Sequence, residues 1–282
     1  MSDYAIIDVG SNSVRILFRG EKRINNTQLA ENLLHTGKLS DEAMKRTFNA
    51  IKTFADEAKA SGADDVFAFA TEAVRSASNG GEFLNAVRSA GIKIELLPPE
   101  EEGILGFRGA YLSGTPLVMD IGGASSEITV GNEREILYSR SLPIGSVRTK
   151  DYSLLRSEQE EFAKKIVQGY GEIPKHDELI SIGGSVSTLF AVYYGIEPYD
   201  KNKVHGASFT YDEISACVDR INALDSEDRR KMKGMHPNKI FVAPAGGVVC
   251  LAIMDYLGEK TLRLSEADNL EGYLKNIESG SV

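Results

Sequence analysis

The sequence predicts an α/β protein made of two related domains. The main observation is an internal repeat, because AIIDVGSNSVRILF at residues 5–18 and LVMDIGGASSEITV at residues 117–130 follow one pattern. In each copy an apolar strand reaches an aspartate, Asp8 or Asp120, then a turn of glycine and small hydroxyl residues follows, and an alternating strand leaves it. Each copy continues as strand, helix and strand, without a long linker or a low-complexity segment.

The two domains are predicted to meet near residue 114, so that the N-terminal domain covers residues 1–114 and the C-terminal domain covers residues 115–282. In the first domain a helix is expected from the N-cap Ser40 to Gly62, because its apolar residues recur at helical spacing. We further predict a strand at 66–71, a helix at 82–91, a strand at 92–97 and a helix at 100–112.

The second domain is predicted to repeat this order of elements. We expect strands within 117–142, a helix at 156–168, a strand at 178–182 and helices at 185–194, 209–224, 239–258 and 268–277, with a short strand at 261–264. The last helix has the option of packing back on the first domain. Residues 195–208 form the least regular stretch.

The composition is typical of a globular, acidic protein. The chain has 282 residues, 42% of them hydrophobic and 26% charged, enough for one large core or two ordinary cores. The net charge of -9 argues against nucleic-acid binding, which needs clustered positive charge. No apolar run approaches the roughly 18 residues of a transmembrane helix, and Cys217 and Cys250 have no metal-ligand spacing. We therefore expect a cytoplasmic protein without membrane contact.

The duplicated turns predict a phosphate-binding cleft. The turn residues are Ser11, Asn12 and Ser13 in the first copy, and Gly122, Gly123, Ser125 and Ser126 in the second. One such turn commonly just closes a hairpin, whereas two opposed turns direct backbone amides at one anion. Asp120 and Glu127 add hard oxygen ligands of the kind that Mg²⁺ prefers.

A third glycine turn connects a strand directly to a helix. It contains Gly183, Gly184 and Ser185. The amides at a helix N-terminus favour anions, but glycines at this place also permit close packing of strand and helix, and both interpretations stay open.

Three glutamates and one arginine are candidates for catalytic or ligand-binding roles. Glu100, Glu101 and Glu102 stand at the head of a helix, where they complement the helix dipole, or where one of them activates a water if it faces the cleft. Arg75 follows a buried strand, where α/β folds place ligand contacts, although a solvated helix arginine is the more common outcome. The pattern alone does not choose between these interpretations.

Four motifs in order carry a family resemblance. They are DVGSNS at 8–13, TEAVR at 71–75, EEG at 101–103 and DIGGASSE at 120–127, followed by SLPIGSVR at 141–148 and IGGSVSTL at 182–189. In this order they resemble the exopolyphosphatase and guanosine pentaphosphate phosphohydrolase family, through nearly the whole chain. The resemblance implies two duplicated ribonuclease H-like (actin-like) domains with the active site in the cleft between them. It also implies a short form without the helical C-terminal module of longer relatives, so that short chains or a nucleotide are favoured substrates.

The resemblance also implies roles for individual residues. Glu102 matches the catalytic glutamate and Glu127 the second essential carboxylate of the family. Arg75 matches the phosphate-binding arginine. Asp120, with Glu127 and Asp8, is implied at the metal, which is expected to be Mg²⁺ or Mn²⁺.

The chain departs from the family pattern at three places. The third glycine of the second turn is Ala124. Leu270 stands where the family usually has an arginine. The Arg-x-Asp pattern of the family is replaced by Lys239, Ile240 and Phe241, so Phe241 stands in the place of the aspartate. These changes predict weaker activity or a different substrate.

The leading hypothesis is an Mg-dependent phosphohydrolase that releases the terminal phosphate of inorganic polyphosphate or of guanosine pentaphosphate. The expected partners are polyphosphate or guanosine penta- and tetraphosphate, with a homodimer allowed. One alternative is a catalytically weak phosphate or nucleotide sensor, suggested by Ala124, Phe241 and Leu270. Another is a sugar kinase or actin-like ATPase, which the glutamate pattern at 101–102 makes less favourable.

Overall fold

A five-stranded mixed sheet forms the frame of the first half of the protein, in a computed structural model that describes residues 3–279. Its strands are β1 (Tyr4–Val9), β2 (Val14–Phe18), β3 (Glu21–Asn25), β4 (Asp65–Ala70) and β5 (Lys93–Leu96). They lie in the order β3-β2-β1-β4-β5. The hairpin strands β1, β2 and β3 pair antiparallel, whereas β1, β4 and β5 pair parallel.

A second sheet repeats this arrangement and adds one edge strand. Its strands are β6 (Leu117–Ile121), β7 (Ser126–Gly131), β8 (Ile136–Leu142), β9 (Leu179–Ile182), β10 (Ser208–Thr210) and β11 (Thr261–Leu264). The order is β10-β11-β9-β6-β7-β8, with β6, β7 and β8 antiparallel and β6, β9 and β11 parallel. The strand order and directions of the first sheet thus recur in the second, and the predicted duplicated α/β fold is confirmed.

Helices cover the sheets and occupy most of the predicted positions. They are α1 (Leu33–Thr36), α2 (Asp41–Ala60), α3 (Glu72–Ser76), α4 (Gly80–Ser89), α5 (Pro99–Ala110), α6 (Ser146–Tyr152), α7 (Arg156–Val167), α8 (Gly184–Tyr194), α9 (Lys201–Val204), α10 (Tyr211–Asn222), α11 (Ser226–Lys231), α12 (Val242–Leu257) and α13 (Asn269–Glu278). The hydroxyl of Ser40 accepts a hydrogen bond from the Ala43 amide at 3.2 Å and begins α2 as expected. Within residues 3–279 no helix has the length and apolarity needed to cross a membrane.

Three local predictions differ from the structure. Residues 208–210 form β10 rather than the start of a helix, because Thr210 and Glu213 form a capping box that begins α10 at Tyr211. The helix predicted from residue 239 begins at Val242, after a 3₁₀ turn at Pro237–Lys239. Helix α6, which follows the second hairpin, was not predicted, and its amides bond to the turn described below.

The last helix crosses from the second sheet to the first. Helix α13 packs against α5, where a Cβ on Gly272 would lie 2.0 Å from the Leu105 carbonyl oxygen, so only glycine permits this approach. Leu270 and Tyr273 are buried in a cluster with residues of β1 and β4, and Tyr273 stacks on Phe69 at 4.9 Å between ring centroids. Residues of α13 therefore belong to the core of the first sheet. The division of the chain into two domains near residue 114 stays a prediction.

Candidate active site

The two duplicated turns have the same backbone geometry. In the first, the amide of Gly10 donates to the carbonyl of Ser13 at 3.0 Å, and in the second the amide of Gly122 donates to the carbonyl of Ser125 at 3.0 Å. A Cβ on either glycine would lie 3.2 Å from that carbonyl oxygen, so glycine allows both turns to close this tightly. The sequence repeat therefore encodes one turn geometry used twice.

The two turns face each other across the space between the sheets. A Cβ added to Gly123 would lie 2.5 Å from the Cβ of Ser11 and 3.3 Å from the amide nitrogen of Asn12. The side-chain oxygen of Asn12 is buried and has no hydrogen-bond partner among the described residues. The close approach brings the two turns together between the sheets.

Helix α6 supports the second turn from behind. The amides of Val147 and Arg148 donate to the Gly123 carbonyl at 2.7 and 3.0 Å, and the Ser146 amide donates to the Gly122 carbonyl at 2.9 Å. The turn carbonyls are thus bound by the helix. Ser126 differs from the other predicted turn residues, because its hydroxyl is bonded to the buried Tyr170 at 2.7 Å and lies in the core of the second domain.

The third turn approaches the same site. Gly183 has a φ of +97°, and a Cβ there would lie 3.1 Å from an Asp120 carboxylate oxygen. Gly184 begins α8, and a Cβ there would lie 2.5 Å from the Lys239 ammonium, which donates to the Gly184 carbonyl at 2.8 Å. Ser185 is buried next to Gly246 of α12. Burial lowers the pKa of Lys239 to about 8.

The hairpins differ in the charge that faces each aspartate. Asp8 pairs across its hairpin with Arg15, whereas Asp120 pairs across its hairpin with Glu127. Arg15 donates to Asp8 at 3.0 Å through Nε and also forms an ion pair with Asp268 at the N-cap of α13. In the first hairpin, Arg15 therefore neutralises the charge of Asp8. In the second hairpin, Asp120 and Glu127 place two carboxylates side by side.

Glu102 reaches this pair of carboxylates from α5. Its side chain is buried, whereas Glu100 and Glu101 on the same turn are exposed. Gly103 allows the approach, because a Cβ there would lie 2.7 Å from the Thr129 hydroxyl and 3.4 Å from the Cβ of Glu127. Arg75 lies beside Glu102, with Nη2 at 3.3 Å from Oε2.

Burial and mutual repulsion raise the pKa values of the acidic groups. Burial, followed by the charge of Asp120, raises the pKa of Glu127 to about 8, although Ser141 donates to its Oε1 at 2.5 Å. Burial, followed by the charge of Glu127, raises the pKa of Glu102 well above its ordinary value. Burial raises the pKa of Asp120 to about 6, against the effect of Arg15. Such a group of carboxylates is typical of a functional site.

Two buried, unpaired carboxylate oxygens fit a divalent cation. Asp8 Oδ1 and Glu127 Oε2 are buried and have no hydrogen-bond partner among residues 3–279. In that part of the chain no three His, Cys, Asp or Glu side chains converge closely enough to hold a metal by themselves. Carboxylate oxygens combined with phosphate oxygens of a substrate match the way Mg²⁺ is commonly held.

The residues that depart from the family pattern have packing roles here. Leu270 is buried among apolar side chains of the first domain, and Phe241 packs under the guanidinium of Arg229 at 5.2 Å. Ala124 is buried, and its carbonyl accepts from Arg148 Nε at 2.8 Å.

Four charged residues of the cleft were missed from the sequence. Arg15 could have been found from the hairpin register, since it occupies in the first copy the place of Glu127 in the second. Asp268 reaches the cleft because α13 crosses to the first sheet. Arg148 reaches it because α6 lies against the second turn. Glu72, next to Arg75, is described below.

The geometry defines an α/β protein with two related sheets and a cleft lined by duplicated turns and buried carboxylates, and comparison with known proteins identifies its family. The Ppx/GppA phosphatase family matches residues 5–279, and the chain belongs to this family. The family is named for phosphatases, the class of enzyme that the sequence predicts.

Several proteins of known name are similar to this chain. It is 28% identical to a bifunctional 3-dehydroquinate synthase/phosphatase of Fusobacterium nucleatum, over 98% of this chain and 46% of that protein. It is 27% identical to exopolyphosphatase 2 of Mycobacterium tuberculosis, over 95% and 96% respectively. It is 26% identical to a guanosine-5'-triphosphate,3'-diphosphate pyrophosphatase of Aeromonas salmonicida, over 97% and 59%. The chain thus spans about half the length of the first of these relatives.

Solved structures agree with the fold. The PPX-GPPA enzyme of Aquifex aeolicus is 30% identical, with a TM-score of 0.78, over 97% of this chain and 98% of that one. An exopolyphosphatase-like protein is 26% identical, with a TM-score of 0.88, over 99% of both chains.

Proposed function

We propose that this protein releases the terminal phosphate from inorganic polyphosphate or from guanosine pentaphosphate. The observation that carries the proposal is the burial of Glu102 and Glu127 together in the cleft, beside Arg75 and between two phosphate-type turns. Relatives named for activity on polyphosphate and on a guanosine penta-phosphorylated nucleotide support this substrate class.

The turns and Arg75 would bind the terminal phosphate. The amides of Gly10 and Gly122 close their own turns, so the amides that would bind an anion are those of Ser11–Ser13 and Gly123–Ser125, where the two turns approach each other. The hydroxyl of Ser126 is engaged with Tyr170, so this residue would contribute only through its backbone. The N-terminus of α8 at Gly183, Gly184 and Ser185 adds positive potential on the second domain.

Glu102 and Glu127 would act on the attacking water. Burial raises the pKa and therefore the proton affinity of both groups, so the one that is ionised in the complex would take a proton from water more strongly than an ordinary carboxylate does. The water oxygen forms a bond to the terminal phosphorus, the phosphoanhydride bond breaks, and the proton of the water moves to the carboxylate. The shortened chain leaves with the bridging oxygen. Positioning and charge stabilisation by the cleft supply most of the rate.

Asp120, Glu127 and Asp8 would hold Mg²⁺ or Mn²⁺ together with oxygens of the substrate. When bound, the cation would neutralise charge on the phosphate oxygens. Asp8 is the weaker candidate, because Arg15 already neutralises one of its oxygens.

Two further expectations belong to this proposal. A cytoplasmic location is consistent with Cys217 and Cys250, which are both buried as free thiols. A homodimer would use exposed apolar residues, for which Leu154 and Leu155 are candidates at 66% and 61% exposure.

Phosphate release tests the proposal. Purified protein with Mg²⁺ or Mn²⁺ is expected to liberate orthophosphate from short polyphosphate, long polyphosphate or guanosine pentaphosphate, and chelation of the metal is expected to stop it. Absence of release from all three substrates with either metal would remove the enzymatic function and favour the sensor alternative, which predicts binding without turnover.

A further inference from the structure

Glu72 lies between two arginines that belong to opposite sides of the cleft. Its Oε2 accepts from Arg75 Nε at 3.1 Å and from Arg75 Nη2 at 2.8 Å. Its Oε1 lies 3.5 Å from Nη2 of Arg148, which belongs to α6 of the second domain. All three side chains are less than one fifth exposed. One carboxylate therefore joins two guanidinium groups across the cleft.

Most hydrogen-bond donors of Arg75 are occupied by the protein itself. A guanidinium has five N–H donors. Four of the five on Arg75 are directed at described residues, two at Glu72, one at Glu102 and one at the Leu97 carbonyl. Either edge of the guanidinium, Nε with Nη2 or Nη1 with Nη2, includes Nη2, so a phosphate group gains a two-point contact along an edge only by displacing Glu72 or Glu102.

Arg148 is held beside the second phosphate turn. Its Nε donates to the carbonyl of Ala124 at 2.8 Å, and its backbone amide donates to the Gly123 carbonyl. The guanidinium of Arg148 therefore lies next to the turn, and the Glu72 carboxylate forms an ion pair with it. Carboxylates and phosphates bind guanidinium groups in the same manner, so Glu72 occupies hydrogen-bond donors that a phosphate group would also use.

We propose that Glu72 is a specificity-determining residue, an internal anion that a phosphate group must displace from Arg75 and Arg148. This inference rests on the proposed function. Orthophosphate must displace Glu72 with the contacts of a single phosphate group. A chain held in the cleft by its other phosphates presents its terminal phosphate to Arg75 and Arg148 at a much higher effective concentration, so it displaces Glu72 more readily. Glu72 thereby disfavours the orthophosphate product relative to the chain.

Glu72 lies within TEAVR at 71–75. The family pattern that this motif resembles, Thr-x-Ala-x-Arg, specifies Thr71, Ala73 and Arg75 but leaves the position of Glu72 open. The role of Glu72 is therefore inferred from its contacts with Arg75 and Arg148.

Calorimetry with inorganic phosphate tests the proposal on the full-length protein in the presence of Mg²⁺. Glu72→Gln keeps the size of the side chain and removes its charge, so phosphate is expected to bind about tenfold more tightly, the range for one lost neighbouring charge in a partly buried site. Glu57→Gln is the matched control, because Glu57 forms an exposed ion pair with Arg23 outside the cleft and the change in net charge is the same. Its phosphate affinity is expected to equal that of the parent protein.

Two further variants make the result specific. Glu72→Asp retains the charge on a shorter side chain and is expected to bind phosphate less tightly than Glu72→Gln. Adding Arg148→Gln to Glu72→Gln is expected to remove the gain, since the gain depends on the released guanidinium. Unchanged or weaker phosphate binding in Glu72→Gln would overturn the proposal.

Kinetics then separates selectivity from general affinity. In Glu72→Gln the inhibition constant of orthophosphate is expected to fall by a larger factor than the KM for tripolyphosphate. Equal factors would contradict the selectivity role. If the parent protein hydrolysed no phosphoanhydride, the proposed function would fail, while calorimetry would still decide whether Glu72 opposes phosphate binding.

Discussion

Replacing Glu102 by glutamine is expected to lower turnover by about two orders of magnitude or more, the range for loss of a general base. The substitution keeps the volume of the side chain and removes its capacity to accept a proton. Glu102 is 6% exposed beside Arg75 and has a raised pKa, which burial and Glu127 cause. The measurement is steady-state phosphate release at saturating substrate, with the melting temperature recorded for each variant.

Glu100→Gln is the control for this experiment. Glu100 lies two residues earlier on the same helix but is exposed to solvent. Its loss should cost only a fraction of 1 kcal/mol, about 0.3–1, through the helix dipole, with turnover close to that of the parent protein. Equal loss of turnover in the two variants would show that the catalytic carboxylate is misassigned.

Glu127→Gln is expected to lower turnover by a similar factor, about two orders of magnitude or more. Glu127 is 2% exposed and has one oxygen bonded to Ser141 and one unpaired oxygen, so it is arranged to bind or activate a ligand rather than to stabilise the fold. Normal turnover in this variant, together with normal turnover in Glu102→Gln, would remove the mechanism.

The same variant has a pH signature in stability. In the metal-free protein the pKa of Glu127 is raised from 4.5 to about 8. The folded state therefore binds an extra proton between these values, and the free energy of unfolding falls as pH rises through this window. Glu127→Gln removes this loss, so in chelator it should melt above the parent protein by roughly 10 °C or more at pH 9 and by little at pH 4.5. A stability difference that is independent of pH would contradict the ionisation assigned to Glu127.

The strands, the duplication and the main helices could be predicted because local patterns encode them. The repeat at Asp8 and Asp120 gave the same strand order twice, and Ser40 gave the start of α2. The predicted starts of two helices were wrong, because local hydrogen bonding sets the first residue of each helix. The capping box at Thr210 begins α10, and the 3₁₀ turn at Pro237–Lys239 delays α12.

The candidate site could be predicted in part. Its turns are continuous stretches of sequence, whereas its charged side chains come from distant parts of the chain. Ser11, Gly123 and Asp120 follow from the repeat. Asp268 enters the cleft because α13 crosses to the first sheet, a tertiary event that periodicity does not encode. Glu72 matters through Arg148, and their contact joins residues 76 positions apart across two domains. The roles carried by resemblance for Glu102, Glu127 and Arg75 stay predictions until variants are measured.

The central claim is that the cleft directs a water at the terminal phosphorus of a phosphoanhydride chain. Hydrolysis of tripolyphosphate in ¹⁸O-labelled water, followed by mass spectrometry of the products, tests it most directly. Attack at the terminal phosphorus places one ¹⁸O in orthophosphate and leaves pyrophosphate unlabelled, which is the expected result. Label in pyrophosphate and none in orthophosphate would mean attack at the central phosphorus and would contradict the account.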